Sequence, residues 1–531
     1  VIALLVLLPV ASVVWIALNP GVNIWPHLMA TTMPRYLINT AILTLSVGAI
    51  AAAVGTGAAW LVVMYRFPFS GALPWLLLLP LAIPAYVGAY ALVDSLEYSG
   101  PVQSMLRQTF GWTSARDYWF PPVRSMGAAV IVLAAALTPY VFLLARAGFR
   151  EQSGNIYEVA RALGAGPFAR FWRVGLPMAR PAIAAGVAIV MMETVSDFGA
   201  VAHFAVRTLT TGIFTTWLEG GNAAGAAQIA SVVLLIVLVL FGLEKASRGQ
   251  SRFHRSSRQT RPVVPVRLRG WRGWLATVLC AVPFVAGFVL PAGVMSYHAL
   301  RNAELWADPA LIAALRNTLV VAGSAAVLTV IAALFMVYGV RLSGRGLPRM
   351  ILPFTIVGYA APGAVLGVGL LIPLARVDHA LADLIQAISG TDPGLLLTGS
   401  AFAIIYAYCV RFFAIAQGAS DAAMGRVAPS LPMAARSLGQ TAGGVLWRIY
   451  LPLIRGSVGT ALLLVFVDAV KELPATLLLR PFNYNTLATR VYEKASLEQI
   501  EQASPAALLV IAVGLVAVIL LARSERPAAL T

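Results

Sequence analysis

Glu193 and Asp197 are four residues apart, and so are Asp468 and Glu472. On a helix that spacing puts both carboxylates of a pair on one face. Each pair sits in apolar sequence, MMETVSDFGA and LLVFVDAVKELPA. An ionisable group at the centre of a bilayer costs about 2.5–3.5 kcal/mol, so such groups usually face a cavity. Hard oxygen donors suit a small, highly charged cation better than sulfur or imidazole would. Glu193 lies 16 residues beyond Pro177, or about 24 Å along a helix, which puts the carboxylates towards one mouth of a span. A tight site there would trap its ion, so the pattern predicts transient contact at all four residues and no permanent metal. Lys471 stands beside Asp468, and helix capping or ion pairing accounts for these residues as well as pathway lining does.

Other chemistries find less support. Cys280 and Cys409 lie in apolar runs with no CxxC spacing, as expected of small buried hydrophobes. His27, His203, His254, His298 and His379 are scattered, without the spacing of a metal cage. A phosphate-binding loop needs a lysine after a glycine. Lys245, Lys471 and Lys494 are the only lysines, and none follows one. Any ATP hydrolysis therefore belongs to a different chain, and this one is expected to be a non-enzyme with no cofactor of its own.

The elements that must hold these residues are membrane helices. Of 531 residues, 60% are hydrophobic and 11% charged, far from the quarter charged of a soluble domain. Apolar runs of spanning length fall near 1–19, 40–65, 71–95, 126–146, 176–198, 225–244, 273–296, 317–340, 350–375, 396–416, 456–479 and 503–522. The first reads as a retained helix, and a short piece is expected before Val1. Twelve spans put both termini on one side. With that side cytoplasmic, most of the 38 Lys and Arg fall in cytoplasmic segments, as membrane orientation demands. The net charge of +17 thereby has a topological reason, and nucleic acid is not an expected partner.

Residues 245–272 are basic, polar and interrupted by Pro262 and Pro265, which reads as a cytoplasmic linker between halves 1–244 and 273–531. Those halves repeat. Ala160–Arg180 and Ala435–Arg455, offset by 275, share nine of 21 positions. At an offset of 278, Asn39-Thr40 matches Asn317-Thr318 and Thr208-Leu209 matches Thr486-Leu487. Six spans per half give both copies the same orientation, so the expected object is an all-α membrane protein of two parallel six-helix repeats.

The repeated segments, EVARALGAGPFARFWRVGLP (158–177) and MAARSLGQTAGGVLWRIYLP (433–452), are too polar to cross the bilayer. Both fall between the fourth and fifth spans of their half. Each reads as a short helix, a turn at Gly164 or Gly439, and a return into the membrane at Pro177 or Pro452. An interfacial helix lying on the bilayer is one reading. A docking lever is the other, since matched levers suit a two-fold symmetric partner.

The segments resemble the EAA loop of ABC-importer permeases. Glu158, Ala160, Gly164 and Leu176-Pro177 match in the first copy; Ala434, Ala435, Gly439 and Leu451-Pro452 match in the second, where Met433 replaces the acid. The resemblance implies a type I importer permease fold, with Arg161 and Arg436 among the residues that meet a separate ATPase, two copies of it. ETVSDFGAVAHFAVRTLTTGIFTTWLEGG (193–221) and DAVKELPATLLLRPFNYNTLATRVYEKAS (468–496) are similar to the fused permeases of ferric-iron importers. That implies the bacterial inner membrane, a periplasmic substrate-binding protein and cargo delivered as ferric iron. Thiamine, polyamine and oxyanion permeases share the architecture. A major-facilitator-like secondary transporter, also two parallel six-helix halves, is the alternative from another class.

Overall fold

The computed structural model describes residues 1–20, 23–249, 263–344, 346, 350, 352–356, 358 and 361–524. Of the 245–272 linker, residues 250–262 lie outside the described residues. Its described end forms a short parallel bridge, with Tyr65 opposite Val266 and Arg66 opposite Arg267.

The all-helical expectation holds, with a correction to the span count. Among the described residues, ten helices are long and apolar enough to cross a membrane. The expected third span is instead two helical stretches, Leu73–Ala82 and Ala85–Phe110, bent by 94°. Pro84 falls at the break, and proline removes a backbone donor and fixes its own φ. The first apolar helix, Ile2–Leu18, has 17 residues, about 25 Å. The expected 350–375 span is described as a helix from Gly363 to Ser389, opened by Pro362.

The packing units interleave the two halves. One consists of Val1–Met29, Gly212–Leu235 and Glu304–Glu493; the other of Ala30–Thr211, Ile236–Ala303 and Lys494–Thr531. Each core thus takes in the opening helix of the other half. In the first unit, Ile2–Leu18 packs on Gly363–Ser389. A Cβ at Gly369 would come within 2.2 Å of Pro9 O, and Tyr406 Oη donates to Leu5 O at 2.7 Å. In the second unit, a Cβ at Gly287 would meet Ala135 O at 2.8 Å, and one at Gly514 would meet Ala82 O at 2.3 Å.

Small residues allow the close approaches that membrane helices rely on when lipid is as apolar as the helix surface. Gly55 on Met33–Met64 and Gly186 on Leu176–Ser196 both press on Val141 of Met126–Arg150. Added Cβ atoms there would lie 2.9 Å from Val141 Cβ and 2.8 Å from Val141 Cα respectively. In the other unit Ala333 and Ala461, at the matching offsets, are fully buried. Gly55→Val is expected to cost about 1–3 kcal/mol through overpacking, measured as a lower thermal midpoint of the detergent-solubilised protein. An unchanged midpoint would show that these helices separate without penalty.

The dipeptides that match between the halves are the two ends of one clamp. Asn39 Nδ2 donates to Arg207 O at 2.9 Å, and Leu209 N donates to Thr40 Oγ1 at 3.1 Å. In the other unit Asn317 Nδ2 donates to Asn485 O at 3.0 Å, and Leu487 N donates to Thr318 Oγ1 at 2.7 Å. Every partner is displaced by 278 positions.

Candidate functional site

The two polar segments fold alike. Gly154–Ala162 and Ser430–Ser437 are short helices, each closed by a left-handed glycine: Gly164 with φ +82° and Gly439 with φ +83°. Ala165 N donates to Ala160 O and Gly164 N to Arg161 O, at 2.9 and 3.0 Å. Gln440 N to Ala435 O and Gly439 N to Arg436 O repeat this at 3.0 and 2.9 Å. These paired bonds satisfy the last carbonyls of a helix and need a residue free to adopt positive φ.

Beyond the turn, a π-turn carries each chain into its span: Phe171–Gly175 before Leu176-Pro177, and Leu446–Tyr450 before Leu451-Pro452. The i to i−5 bonds run from Leu176 N to Phe171 O and from Leu451 N to Leu446 O. Widening the coil here makes room for the proline ring, which clashes with the i−4 carbonyl in a regular helix. The same device precedes Leu290-Pro291, at Val285–Val289. Pro177 and Pro452 lie in the first turn of their helices, Leu176–Ser196 and Leu451–Lys471. Because the π-turns are helical, the spans extend back to Pro167 and Ala442.

The inner face of each segment is anchored and the outer face is bare. Trp60 touches Tyr157, Phe149 and Phe171 with ring centroids 5.1–5.8 Å apart. It leaves no space at Gly175, where a Cβ would sit 2.4 Å from its ring. Tyr157 Oη donates to Gln152 Oε1, and Gln152 Nε2 donates to Gly175 O at 3.2 Å. Burial pushes the Tyr157 hydroxyl above its ordinary range, so it stays a donor. In the second copy Tyr338 and Tyr450 stand where the first has Trp60 and Gly175, with centroids 5.6 Å apart. Tyr338 Oη donates to Ala442 O at 2.5 Å.

Among the sequence-predicted loop residues, Glu158, Arg161, Gly164, Ala434, Arg436, Gly439 and Pro452 are exposed. Ala160 and Pro177 are half-buried, and Ala435 is buried. Leu163 and Leu438 were absent from that set. They are 82% and 83% exposed, beside the turns, in both copies. Their identity across the repeat was the available signal; the exposure was not.

The carboxylates divide by unit, Glu193 and Asp197 in one, Asp468 and Glu472 in the other. Asp197 follows the last turn of its helix and caps the next, its Oδ1 accepting from Ala200 N and Val201 N at 3.1 Å. Glu472 does the same for Ala475 N at 3.1 Å. It also pairs with Arg411, Oε2 to Nε 3.1 Å. Ala136 and Ser196 occupy the first-half positions that correspond to Arg411 and Lys471. Glu193, Asp197 and Asp468 are half-buried.

Residues 45–248 match the family model of the binding-protein-dependent transport system inner membrane component. The Fe(3+)-transport system permease protein FbpB 2 of Haemophilus influenzae is 27% identical over 485 residues, which cover 90% of this chain and 88% of that protein. The chain is an ABC-importer permease subunit. A second relative of the permease, the putative ferric transport system permease protein FbpB 1 of the same organism, is 24% identical over 443 residues, 78% of this chain and 64% of that one. The molybdenum transport system permease protein ModB of Escherichia coli is 28% identical over 177 residues, 32% of this chain and 74% of that protein. The permease is accordingly a multi-pass inner-membrane transport subunit that works with a binding protein and an ATPase.

Proposed function

We propose that this permease moves ferric iron from a periplasmic binding protein to the cytoplasm. Two copies of a separate ATPase dock on the two loops and hydrolyse the ATP; this chain binds no cofactor. Both termini are cytoplasmic, which puts the loops on the ATPase side. Closure of the ATPase pair biases the permease between outward- and inward-facing states through contacts that differ between them.

One observation carries the cargo assignment. Similarity to a ferric permease runs through both halves, over 90% of this chain and 88% of that relative. The carboxylates at Glu193, Asp197, Asp468 and Glu472 support it through the preference of hard cations for oxygen. They meet the cation transiently while it passes, and Asp197 and Glu472 also cap their neighbouring helices.

The test is uptake of radiolabelled ferric iron by iron-starved cells that lack this chain, with its binding protein and ATPase present. Complementation by the wild-type chain is expected to restore uptake. Failure to restore it, with normal membrane insertion, would remove iron as the cargo. Labelled molybdate, thiamine and spermidine then identify the replacement.

A further inference from the structure

The segment between Leu96 and Met126 leaves several large apolar side chains exposed while burying Gln103. In Pro101–Phe110 Gln103 and Arg107 turn inwards, while Gln108 and Thr109 are exposed. Gln103 is buried, with Nε2 donating to Leu96 O at 2.7 Å and Oε1 accepting from Tyr118 Oη at 2.5 Å. Arg107 donates to Tyr98 O at 2.7 Å and lies 4.0 Å over the Tyr98 ring. Three large apolar side chains turn outwards: Met105 and Phe110 are each 61% exposed and Trp119 is 84% exposed. Phe110, Trp112 and Tyr118 stack in a row at 4.8 and 4.7 Å. Asp117 fixes the loop beneath them by accepting from Thr113 N and Ser114 N, both at 2.8 Å.

A helix surrounded by water keeps large apolar side chains off its exposed face; this segment leaves Met105, Phe110 and Trp119 there. The ledge joins the Ala85–Leu96 helix to the start of the Met126–Arg150 span. The far end of that span leads into the first loop helix, about 37 Å away at the helical rise. The ledge therefore sits at the membrane boundary opposite the loop. In the second turn of the adjoining span Met126–Arg150, Ile131 is likewise 59% exposed. Aromatic residues concentrate at this depth because their rings are amphipathic, and exposed Arg116 is placed to meet lipid phosphate.

We propose that Pro101–Trp119 is a lipid-seated ledge, with Met105, Phe110 and Trp119 embedded among the acyl-chain boundaries of the outer leaflet. It anchors one end of its unit in the interface plane while the other end moves with the loop. This role is independent of the cargo. Other occupants, the binding protein above all, are outcomes of the test.

The full chain, with Cys280→Ala and Cys409→Ala, is spin-labelled singly at Met105→Cys, Phe110→Cys, Trp119→Cys or Arg116→Cys. It is then reconstituted in phosphatidylethanolamine–phosphatidylglycerol vesicles. Collision with oxygen is expected to exceed collision with an aqueous nickel chelate at the first three sites, and the order to reverse at 116. Adding binding protein should leave both unchanged. Greater access of nickel at 105, 110 and 119, or immobilisation there only when binding protein is added, would overturn the proposal. The unlabelled chain provides a second reading: Trp119→Phe should remove part of the emission that brominated lipid quenches. An undiminished quenchable fraction counts against a buried Trp119.

Discussion

Replacing Leu163 and Leu438 together by aspartate is expected to abolish ATP-driven uptake while the permease still folds and inserts. Both side chains are more than four-fifths exposed, so their removal costs the isolated subunit almost nothing. Burying a leucine is worth about 1.5–3 kcal/mol. Losing two such contacts removes about 3–6 kcal/mol, which is about 10²–10⁴ in affinity. A charge in place of a leucine buried at that contact adds a further penalty. The measurement is co-purification of the ATPase with the double variant, followed by uptake. The glycines alongside set the direction of this contact, since at φ +82° and +83° the chain turns back directly after each leucine. Full uptake by the double variant would take the two loops out of the coupling mechanism.

Arg411→Met is expected to destabilise the permease by about 3–5 kcal/mol, the usual cost of leaving one member of a buried ion pair alone. Arg411 and Glu472 side chains are 15% and 5% exposed. The pair is also crowded: a Cβ at Gly363 would lie 2.1 Å from Glu472 Oε1 and 2.9 Å from Arg411 Nη1. Adding Glu472→Gln should regain most of the loss, because the amide oxygen still accepts from Ala475 N and no lone charge remains. Thermal midpoints in detergent measure both steps. Uptake by the rescued double variant then separates two roles for Glu472. Wild-type rates would make it structural, whereas a stable but inactive protein would put its charge in the translocation path.

The carboxylate spacing was visible in the sequence, but its consequence was partly local. Asp197 and Glu472 sit one residue past the end of their helices, so the four-residue interval does not give two side chains on one continuous helical face. Capping turns them towards the next backbone amides instead. The count of spans shows the same limit. Hydropathy locates apolar runs, yet one of them, broken at Pro84, is a sharply bent pair.

By itself the sequence determined the membrane class, the two-fold repeat, the position of the loops and the glycine turns. Each of these rests on short-range chemistry: apolar length against bilayer thickness, internal identity, and the backbone freedom of glycine. Tertiary structure decided the rest. That Asn39-Thr40 grips the segment at Arg207–Leu209 depends on two stretches 168 residues apart meeting. That Leu163 and Leu438 are bare depends on which face Trp60 and Tyr338 hold down. The exchange of opening helices between the halves follows from where glycines such as Gly369 and Gly287 admit a neighbour's backbone. Apolar spans look alike to a hydropathy scale, and only close packing at such contacts selects one partner over another.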